Sequence, residues 1–305
     1  MALKELKLGM ISLDTSHVVA FTELLNDKDH PYHVAGGKVT AGYPGGSPDM
    51  HASFSRVEGY TRDLRDRFGV AIVNSPEEVA ERCDAILLES VDGRAHLELF
   101  RKIAPYGKPV FIDKPFATTT ADAQAMVQLA RQYRVPIMSC SSLRYAAGLT
   151  EVLAAADETA DGQIIGADCY GPTPLEERMP GLFTYGIHSV EMLYAVLGPG
   201  CVEVSTRSGA DYDLAVGVWR DGRIGTVRGN RKGNYRFGAV IHREKSTQYA
   251  DVSAHPKPFY AGLLEQVMVM FKTGAAPLAI EESLELIRFI EASNESALTG
   301  RPVKL

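Results

Sequence analysis

The chain predicts an α/β protein, a doubly wound parallel sheet followed by an α+β domain with a mainly antiparallel sheet. Three observations carry this expectation. Up to residue 144, six short apolar runs alternate with amphipathic stretches, which is the βα rhythm of a parallel sheet. After Arg144 the rhythm changes to strand-like runs punctuated by turn residues. The length of 305 residues suits two domains of about 150 each.

The elements follow in order. Residues 6–13 (LKLGMISL) read as the first strand, and residues 14–27 as a helix that Thr15 or Ser16 can cap. Residues 38–43 (KVTAGY) form a second strand, closed by the turn-rich PGGSP. A short helix over 60–68 precedes a third strand, VAIV. Ser75-Pro76-Glu77-Glu78 is a capping box with proline at the first helical position. DAILLES is the fourth strand, and a helix ending near Gly107 leads to KPVFIDKP, the fifth. Residues 119–134 form a helix with Ala123, Met126, Val127, Ala130 and Tyr133 on one face. VPIMSCSS is the sixth strand, which completes a Rossmann-type pattern over residues 1–145.

In residues 146–305, a helix over 148–156 leads to the strand QIIGADCYG and a Pro/Gly-rich loop. The next helix shows Phe183, Ile187, Val190, Tyr194 and Leu197 on one face and stops at Gly198. Four strand-like stretches between Val202 and His242, with turns at Asp221-Gly222 and Gly233-Asn234, suggest an antiparallel meander. Two helices close the chain, the last with Leu284, Ile287 and Ile290 towards the core and with room to pack back on the first domain.

Composition excludes several function classes. With 45% apolar and 23% charged residues the chain is ordinary for a globular protein. A net charge of −6 offers no basic field for nucleic acid or anionic membrane. The four cysteines show no CxxC pair and no zinc-like spacing, consistent with a reduced compartment. No apolar stretch approaches the roughly 20 residues of a membrane span, and the N-terminus lacks a signal-peptide pattern. A cytoplasmic protein is the expectation.

Ligands of open parallel sheets bind beyond the carboxyl ends of the strands. Candidate residues therefore lie at 12–17, 42–46, 89–92, 113–115 and 141–144. In this frame Asp113-Lys114-Pro115 after a buried strand, LRY at 143–145 and YGIHSVEMLYAVLG at 185–198 form an ordered set. The set resembles the glucose-fructose oxidoreductase / inositol dehydrogenase / MocA family, with its [DE]-K-P and G-x-H-x-x-[DE] motifs. The closing segment ESLELIRFIEASNESALTGRPVKL is similar to that family's last helix and strand.

The resemblance implies an NAD- or NADP-dependent oxidoreductase acting on a sugar, polyol or related hydroxylated small molecule. Lys114 would sit beside nicotinamide and the substrate hydroxyl, and His188 would exchange the alcohol proton, since imidazole titrates near neutrality. Arg144, Thr184 and Tyr185 would line the substrate, and homo-oligomers would form through the C-terminal sheet. Plainer readings stand beside these: a solvated lysine at a strand end, a packed helix histidine, an arginine clamp.

The chain also departs from the family. Its cofactor loop should read G-x-G-x-x-G, but here Ser12, Asp14 and His17 replace the glycines that allow close approach of a diphosphate. Asp14 would repel that diphosphate, while Thr15, Ser16 and the helix N-terminus could still hold an anion. Glu89 and Ser90 stand at the fourth strand exit, and Thr184 replaces an expected aspartate. A metal bound by His17, His96, Asp14 and Glu89 is conceivable, but the spacing matches no metal motif and none is expected. Two rival functions follow from the missing glycines: a lyase or hydrolase on the same scaffold, or a ligand sensor with a decayed cofactor site.

Overall fold

A computed structural model describes residues 5–305. The first four residues, where a leader would begin, lie outside it. The chain forms two compact units that interleave in sequence: residues up to 117, 121–140 and 260–280 make the first, and 118–120, 141–259 and 281–305 the second.

The first unit contains β1 (Leu6–Ile11), α1 (His17–Asn26), β2 (Gly37–Tyr43), α2 (His51–Phe54), α3 (Val57–Phe68), β3 (Ala71–Ile72), α4 (Pro76–Arg82) and β4 (Ala85–Leu88). It continues with α5 (His96–Ile103), β5 (Val110–Ile112), α6 (Thr120–Tyr133) and β6 (Ile137–Met138). The six strands lie in the order β3-β2-β1-β4-β5-β6, every pair parallel. Strands β4 and β5 are buried at every position because helices cover both faces of such a sheet. Gly9 lets α4 approach, since a Cβ there would lie 2.2 Å from Val79 Cγ1.

Helix α4 starts as its capping box predicts. Ser75 Oγ accepts from Glu78 N at 3.1 Å, while Glu78 Oε2 accepts from Asn74 N at 3.0 Å, one residue earlier than in the ideal box. Two local expectations change. Ser16 makes no side-chain cap to α1, and Thr15 Oγ1 only reaches His17 N at 3.5 Å. On α6, Ala123, Met126, Val127 and Ala130 are buried, but Tyr133 is 37% exposed.

The second unit holds α7 (Ala147–Ala154), α8 (Glu158–Asp161), β7 (Ile164–Pro172), α9 (Gly186–Leu197), β8 (Cys201–Ser208), β9 (Tyr212–Trp219), β10 (Ile224–Asn230), β11 (Gly238–Arg243) and β12 (Thr247–Asp251). Then α10 (Phe259–Thr273) returns almost wholly to the first unit, before α11 (Ile280–Thr299) and β13 (Val303–Lys304) finish the second. The expected single division after residue 145 is therefore replaced by interleaved segments. The helix that rejoins the first unit is α10, where Lys272 Nζ donates to Ala35 O at 2.9 Å, and not the terminal helix. Leu284 of α11 is only half-buried, while Ile287 and Ile290 are in the core.

The seven-stranded sheet runs β12-β11-β7-β10-β9-β8-β13. It is antiparallel except that β7 and β10 pair parallel. The expected four-strand meander holds only for β8, β9 and β10. Strand β7 takes the open edge of β10, so β11 pairs with β7 instead, and β12 adds a further strand. Helix α9 lies on this sheet at Gly225, where a Cβ would come 2.7 Å from Leu193 Cδ1. Every residue of α9 except Ala195 is buried. Its expected one-sided apolar face thus understates its burial, and its polar residues need partners within the protein.

Candidate active site

In this sheet order the connections leave β1 and β4 in opposite directions, which opens a crevice between their carboxyl ends. Ser12, Asp14, Thr15, Ser16, His17, Glu89, Ser90 and Lys114 all follow β1, β4 or β5 at that end. Ser12 keeps a glycine-like backbone with φ at 68°, a left-handed conformation uncommon for serine. Its N–H donates to Tyr43 O at 2.9 Å and that of Leu13 to Pro44 O at 2.7 Å, so the loop is tied to the exit of β2.

Asp14 is fully buried, and its carboxylate faces inward. Oδ2 accepts from Ser53 Oγ at 2.6 Å and Oδ1 from Val91 N at 2.9 Å. Ser53 Oγ in turn accepts from Ser47 N at 2.7 Å. One aspartate therefore pins together the loops after β1, β2 and β4. Burial pushes its pKa up, against the lowering effect of those two hydrogen bonds. The diphosphate repulsion expected from Asp14 is correspondingly reduced, because both oxygens are already engaged.

His17, at the start of α1, occupies the position of the third glycine. Its ring stacks on Phe21 at 5.3 Å and tilts against Tyr260 at 4.8 Å. Nδ1 lies 2.7 Å from Asp113 Oδ2 and 3.8 Å from Glu89 Oε2. Nδ1 nonetheless has no hydrogen-bond partner of good geometry among the described residues. Both carboxylate oxygens of Glu89 are likewise buried without a partner. Burial, together with Asp113 and Asp14, holds Glu89 well above the usual carboxylate range. Burial acts on Asp113 in the same sense, yet His17 and Lys114 keep it below that range.

Lys114 is half-buried directly after this cluster, and burial pushes its ammonium pKa down, opposed by Asp113. Arg56, absent from the sequence expectations, acts electrostatically on both Lys114 and Asp14. Its Nε and Nη2 atoms are buried with no hydrogen-bond partner. Such a guanidinium is suited to an anionic ligand. Nothing local in the sequence marks it, since it stands at the start of an ordinary surface helix. Ser90 and His96 serve the scaffold: Ser90 Oγ accepts from Asp92 N at 3.3 Å, and the two His96 nitrogens face Ser90 O and Phe116 O at 3.0 and 3.2 Å.

In the second unit, His188 projects from the first turn of α9. Its Nδ1 lies 2.5 Å from Ser141 Oγ, and its ring packs edge-on to Tyr185 at 5.7 Å and Phe237 at 5.5 Å. Glu191, one turn further on, accepts from Ser141 N at 3.1 Å and pairs with Arg144, which also bonds Glu282. Two guanidinium nitrogens of Arg144 thus face carboxylates, the geometry of a structural clamp more than of a substrate grip. Burial raises the pKa of Glu191, with Arg144 opposing. Thr184 donates its hydroxyl proton to Met179 O at 3.0 Å, while Tyr185 is 44% exposed. Ser141 lies in the strand-exit span 141–144 and Glu191 at the last position of the G-x-H-x-x-[DE] spacing, but sequence alone assigned neither a role of its own.

Comparison with known proteins bears on this geometry. Residues 45–140 match the family model GFO_IDH_MocA, described as an oxidoreductase family with an NAD-binding Rossmann fold. That segment is similar to the family's Rossmann fold. The match begins beyond the glycine-free loop at 12–17. No curated protein matches the chain.

Among solved structures, GenD2 from gentamicin A biosynthesis, crystallised with NAD, is 17% identical with a TM-score of 0.81, covering 100% of this chain and 97% of that one. A probable dehydrogenase from Thermotoga maritima is 18% identical at TM-score 0.80, covering 98% of each chain. The myo-inositol dehydrogenase from Lactobacillus casei, in complex with NAD(H) and myo-inositol, is 16% identical at TM-score 0.78, covering 99% of this chain and 97% of that one. At such identities the likeness shows a shared fold alone. Whether the crevice fits a nucleotide is a matter of its own residues. The Arg56 guanidinium, with Nε and Nη2 lacking partners, and the ammonium of Lys114 fit a diphosphate, and Ser12 keeps the backbone turn that the first glycine would make.

Proposed function

We propose that the protein is an NAD- or NADP-dependent oxidoreductase acting on a sugar, polyol or related hydroxylated small molecule. The observation that carries the reading is the half-buried Lys114, at the exit of β5 within the segment matched to an NAD-binding oxidoreductase family. The neighbours crystallised with NAD, one of them with myo-inositol, support the cofactor and the substrate class. A bound nicotinamide supplies the hydride acceptor or donor. In this reading Arg56 and Lys114 neutralise the anionic groups of the nucleotide, and Lys114 also orients and polarises the substrate oxygen. An ammonium whose pKa burial has lowered gives up its proton more readily than a solvated one.

His188 takes or returns the alcohol proton, with Ser141 holding Nδ1 and thereby fixing the ring orientation. Thr184 has no acid–base role at neutral pH. Tyr185 and Thr184 border the substrate, and Arg144 acts by holding Glu191 and Glu282 in place. Homo-oligomers form through the seven-stranded sheet. No helix among the described residues is long and apolar enough to cross a membrane.

The test is calorimetric titration of the purified protein with NADH and NADPH up to about 1 mM, the upper range of ordinary substrate affinities. Binding of at least one nucleotide is expected, and binding of neither overturns the reading. His188→Ala is then expected to lower turnover by roughly 100-fold or more while largely keeping nucleotide affinity, and Lys114→Ala to lower turnover as much and to weaken nucleotide binding as well. Full activity in either variant removes that residue from the mechanism. The glycine-free loop favours one alternative, a lyase or hydrolase on the same residues, which the same titration separates by showing no nucleotide binding.

A further inference from the structure

The crevice holds one feature that the hydride reading does not use. His17 Nδ1, a Glu89 oxygen and an Asp113 oxygen all lie within 4.8 Å of one another, on three buried side chains. Glu89 is fully buried with neither oxygen hydrogen-bonded, and His17 Nδ1 is also unpartnered. A buried carboxylate normally has hydrogen-bond partners, because leaving it without them costs several kcal/mol of desolvation. His17 and Asp113 meet at 2.7 Å, yet His17 Nδ1 and both Glu89 oxygens lack a hydrogen-bond partner, and three side chains that converge on one volume in this way are arranged for an occupant that accepts lone pairs.

We propose that His17, Glu89 and Asp113 bind one divalent transition-metal ion at the carboxyl ends of β1, β4 and β5. The distances suit it. Tetrahedral ligands at 2.0–2.2 Å from a metal lie about 3.4 Å apart, and the separations of 2.7 and 3.8 Å from His17 Nδ1 bracket that spacing. One imidazole with two carboxylates selects zinc, manganese, cobalt or ferrous iron over magnesium and calcium, which prefer all-oxygen shells. Three protein ligands leave a fourth position open, as in catalytic zinc sites, for water or a ligand oxygen. A cation there would also offset the acidic charge of Glu89, Asp113 and Asp14 in a crevice whose other charges, Arg56 and Lys114, favour an anion. The sequence led to no metal being expected, and of the four residues weighed there two are otherwise engaged: Asp14 is held by Ser53 and Val91, and both His96 nitrogens face carbonyls. Asp113 takes their place.

The site involves the first unit alone and does not depend on hydride transfer, so the test contains no nucleotide. Full-length protein is stripped with chelator and titrated calorimetrically with Zn²⁺, Mn²⁺, Co²⁺ and Mg²⁺. One transition-metal ion per chain is expected, bound more tightly than Mg²⁺. The Glu89→Gln and Asp113→Asn variants should weaken it at least as much as the roughly 10- to 100-fold that outer-shell changes cost. Because these variants could misfold, the wild-type Co²⁺ complex provides a second measure. Its proton NMR spectrum should show one paramagnetically shifted, exchangeable imidazole N–H, from the single histidine ligand. Failure of the wild-type protein to take up any of these ions, undiminished uptake in both folded variants, or a cobalt spectrum without that resonance overturns the proposal.

Discussion

Asp92 illustrates how a single carboxylate in the β4 exit loop is tuned. Arg94 donates to it from N at 3.0 Å, from Nε at 2.9 Å and from Nη2 at 2.7 Å, and also reaches Asp49. Burial alone would raise the Asp92 pKa, but the hydrogen bonds from Arg94 and Ser47 and the arginine charge hold it below the ordinary value. A lowered folded-state pKa contributes stability above the unfolded value of about 3.9, and that contribution is lost as pH falls through the folded value. Asp92→Asn is therefore expected to lower unfolding free energy by about 1–3 kcal/mol at pH 7, with the deficit shrinking below about pH 4. Urea denaturation at the two pH values checks this, and an equal deficit at both would contradict it. At this scale the sequence was only partly legible. Lys114 and His188 stand in motifs of their own. The inward turn of Asp14 depends on Ser53 and Val91, both far from it in sequence.

At the level of elements, local chemistry reads well where the interaction is local. The capping box at Ser75 lies within four residues and is realised by a 3.1 Å bond to Glu78 N. Ser75→Ala should accordingly destabilise the protein by about 1 kcal/mol, while Ser75→Asp should be nearly neutral, both measured by denaturant unfolding. A loss of the same size in both variants would show that the hydroxyl acts other than as a cap. Helix α9 and the sheet beneath it were less legible. Apolar periodicity finds one face of α9, but its burial on all sides comes from neighbours distant in sequence. That enclosure is why His188, Ser141, Glu191 and Arg144 form a connected polar network. The meander failed for a similar reason. Turn residues propose which consecutive strands pair, but they carry no information about β7, which follows a loop and a helix yet inserts beside β10.

For the whole molecule, one prediction concerns the seven-stranded sheet. On β9, buried Asp213, Ala215, Gly217 and Trp219 alternate with half-exposed Leu214, Val216 and Val218. Thr226 continues that half-exposed row on β10. An apolar row of this kind suits a subunit contact. Light scattering should give at least twice the mass of one chain, and Val216→Asp should shift it towards the monomer without loss of secondary structure. A monomeric wild-type protein would place the contact, and the oligomer, out of consideration.

Order along the chain and the identity of its strand exits were determined by the sequence itself, because periodicity, caps and turns act over a few residues. Lys114 stands at one of those exits, and the role expected of it came from the resemblance of its motif. The sequence let His17 and Glu89 be weighed together, but tertiary structure decided that Asp113 joins them and that Asp14 and His96 do not. The three that group are far apart in the chain and share no spacing. Only the strand order β2-β1-β4-β5 sets three strand ends side by side, and only the packing around them buries His17 and Glu89 without hydrogen-bond partners.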